Sequence, residues 1–349
     1  MKRTLWAFFA LALLVLVAGG AAFGYYRVTA YMDAPLGLAA PVSITVERGA
    51  TLQGVLRNLE ADGIIAHPRW AYFHARLHKR TQVRAGEYLA GLDDTPLSLL
   101  DKIGEGHVRT ERFRVLEGHN RWQVRESLAK ARWMTPVEFD KLCDNLSFLA
   151  AHKVPGPTCE GYLFPETYTF ARGLAPESIL AAMFDLFHKN FDAVIAGGTG
   201  PLGLDARKLT TLASIVEKET GAKSERGRVA CVFYNRLTAK PAWRLDTDPT
   251  VIYAATLADP RFDGNITRAH LRELDSPYNT YRNYGLPPGP IANAGRAAFE
   301  AVVRPLSCSD FFFVSNNQGE HIFCPTIQCH NQAVEKFQVR YFRKGGRKR

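Results

Sequence analysis

Apolar and polar positions divide the chain into unequal parts. The first is a run of 22 uncharged residues, Leu5 to Tyr26, preceded by Lys2 and Arg3. At about 1.5 Å rise per residue, a helix of that length reaches roughly 33 Å and can cross the hydrocarbon core of a bilayer. Basic residues ahead of it favour a cytoplasmic N-terminus, with everything after Arg27 exported. A cleaved signal peptide is the alternative, since "AGGAA" offers small residues to a signal peptidase. The length of the run favours a retained anchor over residues 1–27. "YMDAPLGLAAP" then reads as part of a linker over residues 28–41.

From residue 42 the periodicity changes. Ser43–Val46 alternates as a strand does, and Leu52, Val55, Leu56 and Leu59 recur at helical spacing behind a capping Thr51. A helix around Trp70–Leu77, a strand in "AGEYLAGL" and a capped helix in "TPLSLLDKIGEG" complete a small α+β module, residues 42–112. Residues 113–340 read as a larger, mainly helical α+β domain broken by Pro/Gly-rich loops. "DFFFVSNNQGEHIFC" forms a hairpin near its end. Residues 341–349 make a basic tail. The fold class is therefore α+β behind a transmembrane helix.

Chemistry concentrates in four stretches. "DARKLTTLASIVEKET" suits a helix capped by Asp205, with Leu209, Leu212, Ala213, Ile215 and Val216 as its apolar stripe. At 100° per residue Glu219 lies about 50° from the centre of that stripe and Glu217 about 110° from it. Glu219 thus heads for the buried face or its border, while Glu217 points to the flank. A carboxyl held against apolar groups resists ionisation and can serve as a general acid near neutral pH. Solvated charges at a helix end are the competing reading.

"ERGRVACVFYNRL" is a second amphipathic helix that leads into "WRLDTDPTVIYA". There Asp246 and Asp248 flank a threonine. Asp248 reads either as an N-cap or as part of a polar cluster beside Glu219. "SPYNTYRNYGLPPGP" interleaves Tyr278, Asn279, Thr280, Tyr281 and Tyr284. Rings of this kind stack on sugar faces while amides and hydroxyls bond sugar hydroxyls. A proline-rich turn packing its tyrosines is the alternative.

Composition narrows the classes. With 46% hydrophobic residues the 349-residue chain is neither disordered nor low-complexity. Its formal net charge of +10 suggests an anionic neighbour, and part of that excess sits in the tail "RYFRKGGRKR". An exported chain whose basic residues form no single motif argues against nucleic acid as partner. Six cysteines suit an oxidising compartment. Cys143–Cys159 and a pair among Cys308, Cys324 and Cys329 are candidate bridges, and Cys231, in the apolar run "VACVFYN", reads as a buried free thiol. No CxxC or HExxH occurs, so neither a metal nor another cofactor is expected.

"EGYLFPETY", "LASIVEKET", "ERGRVACVFYNRL", "RLDTDPTVIYA", "SPYNTYRNYGLPPGPIANAG" and "HNQAV" occur in the order found in the endolytic murein transglycosylases, the MltG or YceG-like family. The resemblance covers almost the whole chain. It implies a LysM-like small subdomain and a lysozyme-like active-site helix in the larger domain. It also implies cleavage of the β-1,4 bond after N-acetylmuramic acid inside peptidoglycan strands, leaving 1,6-anhydro ends. The family's catalytic glutamate falls on Glu219, followed by Thr220. Glu217, Asp248, Thr250, Tyr278, Asn279, Thr280 and Tyr281 match positions expected to line or tune the substrate cleft. Many relatives carry Gln where this chain has Asp246. The resemblance places the protein at the inner membrane with its catalytic part outside, near wall synthases or division proteins. A water-using muramidase acting through Asp246 or Asp248 and a non-catalytic wall-binding scaffold are the competing functions.

Overall fold

The computed structural model describes residues 2–345. Residues 346–349, the end of the expected basic tail, lie outside the described residues, while the start of that tail is helical. The chain forms two compact units, Met1–Arg112 with Thr169–Leu174, and Phe113–Tyr168 with Ala175–Arg349.

In the first unit, helix α1 (Lys2–Asp33) is followed by β1 (Val42–Val46), α2 (Leu52–Ala61), α3 (Pro68–Leu77), β2 (Gly86–Ala90) and α4 (Pro96–Glu105). β1 and β2 pair antiparallel, Val42 opposite Ala90 and Val46 opposite Gly86. The Thr51 hydroxyl accepts the Gly54 N–H at the start of α2, as its place before the apolar stripe predicts. Thr95 and Ser98 form a capping box on α4, and Gly106 ends that helix in the left-handed region.

The expected linker over 28–41 is corrected at its start. α1 continues unbroken to Asp33. Val28 and Met32 are buried in the same core as Ile44, Leu56, Tyr88 and Leu99, with Tyr31, Leu36 and Leu38 packed against it. Apolar side chains at helical spacing kept the segment helical, and the Pro/Gly signal acts only after Asp33. An apolar stretch of this helix, Phe8–Asp33, is long enough to cross a membrane.

The chain leaves the first unit along β3 (Thr110–Arg114), which pairs with β4 (Thr167–Ala171). Three helices lie between these strands: α5 (Arg121–Lys130), α6 (Pro136–Cys143) and α7 (Leu146–Ala151). After β4 come α8 (Pro176–Ile195), α9 (Ala206–Glu219), α10 (Arg226–Thr238), α11 (Asp248–Ala258), α12 (Arg268–Glu273) and α13 (Arg296–Val303). A hairpin of β5 (Phe312–Ser315) and β6 (His321–Cys324) precedes α14 (Ile327–Val334) and α15 (Arg340–Gly345).

α9 is the axis of the second unit. Asp205 caps it by accepting the Lys208 N–H. It then packs against α10, α11 and α13, and every residue from Leu209 to Glu217 is buried.

Three disulfides staple this unit: Cys143–Cys159, Cys231–Cys308 and Cys324–Cys329. The free-thiol reading of Cys231 is thereby overturned. Its burial on α10 comes from the segment after α13, which lays Cys308 across it. Asn235 reinforces the crossing, its side-chain amide donating to the carbonyls of Cys308 and Asp310. Loop-closure entropy predicts an order of stabilisation. Cys231–Cys308 closes 77 residues, Cys143–Cys159 closes 16 and Cys324–Cys329 closes 5. Replacing the first pair by serines should cost on the order of 3–4 kcal/mol, with smaller losses for the other two in that order. Urea midpoints of the three double variants check this. A largest loss at Cys324–Cys329 would contradict it.

Candidate active site

α9 ends at Glu219, and the two acids near its end occupy different environments. Glu217 is not on an exposed flank, as helical phase predicted. Its carboxylate is buried in an ion pair with Arg226, both side chains only 4% exposed. Its second oxygen accepts the Gly295 N–H at 3.0 Å. The phase argument failed because it assumes a helix with one broad solvent face, whereas α10, α11, α13 and the loops beside them enclose most of α9.

Those loops are stitched together by name. Gly118 N–H donates to the Asn293 carbonyl, and Asn293 donates to His119 through both its backbone and its side-chain amide. The Asn293 side-chain oxygen accepts the Leu163 N–H, and Ser214 on α9 accepts the Ile291 N–H. A side chain at Gly295 would meet the Glu117 carboxylate at 2.2 Å and would have to displace it. Gly161 takes a positive φ of 85°, seated against Pro290.

Glu219 lies one turn-fraction further on, half-buried with an edge open to solvent. Removal from water pushes its carboxyl up to about 7. The hydroxyl of Thr247 donates to it and favours the ionised form, the Asp248 carboxylate opposes ionisation, and Arg236 and His321 act against that rise. Its place at the negative end of α9 also disfavours ionisation.

Thr247, between the two aspartates, was not singled out by sequence, yet it touches Glu219 directly. It is itself held by buried hydroxyls. Thr247 N–H donates to the Thr280 hydroxyl at 3.1 Å, Thr250 donates to the Thr247 carbonyl at 2.8 Å, and the two hydroxyls meet at 2.8 Å. Thr250 and Thr280, expected to line the cleft, are fully buried and act through Thr247 instead. Asn279 is likewise buried. Its amide donates to the carbonyls of His270, Leu271 and Leu274 at the end of α12, and its oxygen accepts the Tyr281 N–H. Direct substrate contact by these three is therefore corrected to support from beneath.

Asp248 begins α11 without capping it, since Thr247 holds the cap position. It is exposed, and its carboxylate accepts the Tyr281 hydroxyl at 2.7 Å. Tyr281 thus belongs to the Glu219 cluster. Tyr278 does not: its ring packs on Tyr253, whose own ring meets Trp122. Asp246 takes a left-handed φ of 45°, and burial raises its carboxyl against the pull of Arg236 and Arg244.

Three further groups escaped the sequence reading. The Arg236 guanidinium, buried between the carbonyls of Leu245 and Phe311, supplies positive charge near Glu219. Glu225 accepts from the His321 ring at 2.7 Å and from Thr220 at 3.1 Å. Glu160, in "EGYLFPETY", is buried and pushed up to about 7 by burial, with the Arg121 N–H donating to its carboxylate. Only the acidic and hydroxyl content of these stretches signalled them, because their partners lie 5 to 96 positions apart in sequence.

A cleft of about 670 Å³ opens beside this cluster, lined by His119, Trp122, Lys218, Pro249, Ile252 and Tyr253. Lys218 and Pro249 adjoin Glu219 and Asp248 in sequence. Its lining mixes aromatic rings, Trp122 and Tyr253 among them, with polar side chains, a lining suited to a sugar.

Glu219 and Glu160 are thus two carboxyls raised by burial to about 7, and Glu219 is the one with an edge open to solvent. The YceG-like family profile matches residues 44–336, and the chain belongs to that family. An endolytic murein transglycosylase of Bacillus subtilis (strain 168) is 29% identical over 314 residues, 85% of this chain and 84% of that protein. A protein of the same name from Streptococcus pneumoniae (strain ATCC BAA-255 / R6) is 26% identical over 359 residues, 93% of this chain and 63% of that protein. The crystal structure of a YceG-like protein from Listeria monocytogenes superposes with a TM-score of 0.54 at 28% identity, covering 84% of this chain and 98% of that one.

The two acids should separate in stability measurements. A carboxyl whose folded pKa is raised binds its proton more tightly in the native chain. Its favourable contribution is then complete below 4.5 and lost as pH rises through about 7. Glu219→Gln should therefore be more stable than wild type at pH 8, with the difference vanishing toward pH 4. Arg226→Met, which strands the Glu217 carboxylate, should cost about 3 kcal/mol at neutral pH. Thermal unfolding across pH checks both. A Glu219→Gln variant destabilised at pH 8 would contradict the assignment.

Proposed function

We propose that this protein is a membrane-anchored lytic transglycosylase. It cuts the β-1,4 bond between N-acetylmuramic acid and N-acetylglucosamine inside peptidoglycan strands, leaving 1,6-anhydro ends and terminating or trimming nascent strands. The observation that carries this reading is Glu219, half-buried, kept protonated near neutral pH and oriented by Thr247. Membership of the YceG-like family and the names of the Bacillus and Streptococcus relatives support the substrate class.

One carboxyl suffices for this reaction. Protonated Glu219 gives its proton to the glycosidic oxygen as the bond to C1 breaks, and the departing sugar leaves as an alcohol. The resulting carboxylate then accepts the proton of the muramyl 6-hydroxyl as that oxygen bonds C1. Glu219 ends protonated, and no water is consumed. Glu217 anchors the end of α9, while Asp248 and Tyr281 form the polar rim that faces the sugar. Tyr278 supports the aromatic wall, and Asn279, Thr250 and Thr280 hold Thr247 and Tyr281 in place. α9 serves as a lysozyme-like active-site helix. The first unit acts as a LysM-like module on residues 42–112, and the larger catalytic domain spans 113–340. α1 places the N-terminus in the cytoplasm and the rest outside the inner membrane, within reach of wall synthases or division proteins.

Mass spectrometry of digested glycan strands tests the chemistry. Wild type should release products carrying the anhydro mass loss, and Glu219→Gln should release none. Reducing ends instead would transfer the reaction to water activated by Asp246 or Asp248, and intact strands would leave a wall-binding scaffold. The free enzyme must be protonated to act, so kcat/KM should fall above a pH of about 7. Thr247→Val, which removes a donor to the carboxylate, should move that limb to higher pH; an unmoved limb would exclude Glu219 as its source.

A further inference from the structure

The apolar surface of the first unit does not stop at α1. On α3, Ala71, His74 and Ala75 face the core, while Phe73 and Leu77 are each 54% exposed. At 100° per residue Trp70, Phe73 and Leu77 fall within about 60° of one another, with Arg69 and Arg76 on the adjoining flank. Phe73 and Leu77 are placed one helical turn apart, where they form a continuous apolar ridge.

The ridge stands beside α1. A groove of about 640 Å³ runs between the two helices, lined by Phe23, Tyr25, Arg27 and Val28 from α1 and by Trp70 and Phe73 from α3. The relative height of the helices is fixed by Tyr31. Its hydroxyl accepts the N–H groups of Ala66 and His67 at 3.1 Å each, just ahead of α3. Its ring meets those of His67 and Trp70 edge-on. With Met32 fully buried below, α3 is clamped to the last turns of α1.

We propose that α3 lies in the membrane interface where α1 emerges, its Trp70–Phe73–Leu77 ridge among the upper acyl chains of the same bilayer. The proposal rests on α1 being a membrane span. A span running from Leu5 to Tyr26 puts Phe23 inside the hydrocarbon edge, and Phe73 shares a groove with Phe23. Lipid therefore occupies the groove by continuity with the surface that α1 presents. The charges agree with that occupant. Arg80 is engaged by Asp101, but Arg69, Arg76 and Lys79 make no ion pair among the described residues and suit anionic headgroups. An aromatic and aliphatic ridge bordered by arginines is the pattern of an interfacial helix, and Trp and Tyr favour this depth. The first unit is then seated on the bilayer and does not swing from a tether.

Site-directed fluorescence on the full-length protein in phosphatidylethanolamine–phosphatidylglycerol vesicles tests this. All six native cysteines are paired, so Phe73→Cys offers one thiol for a polarity-sensitive label. Phe23→Cys serves as the bilayer reference and the free fluorophore as the water reference. The label at position 73 should be quenched by acyl-chain nitroxide lipids to an extent similar to that at 23, and protected several-fold from aqueous iodide. Leu77→Cys, one turn on, gives the same readout from an independent position. Labels at 73 and 77 as open to iodide as the free fluorophore would overturn the docking. If the label at 23 is equally open, α1 does not span and the docking fails with it.

Discussion

The buried ion pair between Glu217 and Arg226 holds the end of α9, and the geometry around Glu219 follows from it. Two charges enclosed this deeply need one another, and the Glu217 carboxylate has Arg226 on one oxygen and the Gly295 amide on the other. The pair ties α9, α10 and the start of α13 at one point. Helical geometry then turns the next acid, Glu219, toward Thr247 with an edge left open to solvent. A carboxyl so placed is near solvent but poorly solvated, which is the condition for holding a proton near neutral pH. The raised proton affinity of Glu219 is thus a consequence of packing that Glu217 secures.

Threonine hydroxyls provide a second tier of order. Thr250 and Thr280 fix the backbone of Thr247, whose hydroxyl meets the Glu219 carboxyl. Asn279 does the same for Tyr281, and through it for Asp248. Blocks that are far apart along the chain therefore converge on a single carboxyl: the end of α9, the approach to α11 and the tyrosine-rich loop. "EGYLFPETY" converges elsewhere, with Glu160 beneath the aromatic wall formed by Trp122 and Tyr253.

Much of this was legible from residues alone where local rules dominate. Thr51, Thr95 and Asp205 sit at helix starts because short polar side chains satisfy orphan amides there. The hairpin of Phe312–Ser315 with His321–Cys324 follows its polar turn. Glu219 stood out because its helical phase borders the apolar stripe. Legibility ended where long-range packing decides. Glu217 was misplaced since periodicity cannot reveal that Arg226 of α10 and the loop at Gly295 cover its side of α9. Cys231 was misread because burial is common to free thiols and to bridges, and its partner is 77 positions away. Asn279, Thr250 and Thr280 carry the polar atoms expected of a binding surface, but those atoms face protein donors and acceptors. α1 outlasted its expected end because Val28, Tyr31 and Met32 had a core to enter, which only the folded module supplies.

The central claim is that enclosure, rather than a second catalytic carboxylate, prepares Glu219 for acid–base work. Its carboxyl pKa in the folded protein is the most direct measure, obtained from the carbon-13 titration that disappears in Glu219→Gln. A midpoint near 7 is predicted. A midpoint near the ordinary glutamate value of about 4.3 would contradict it.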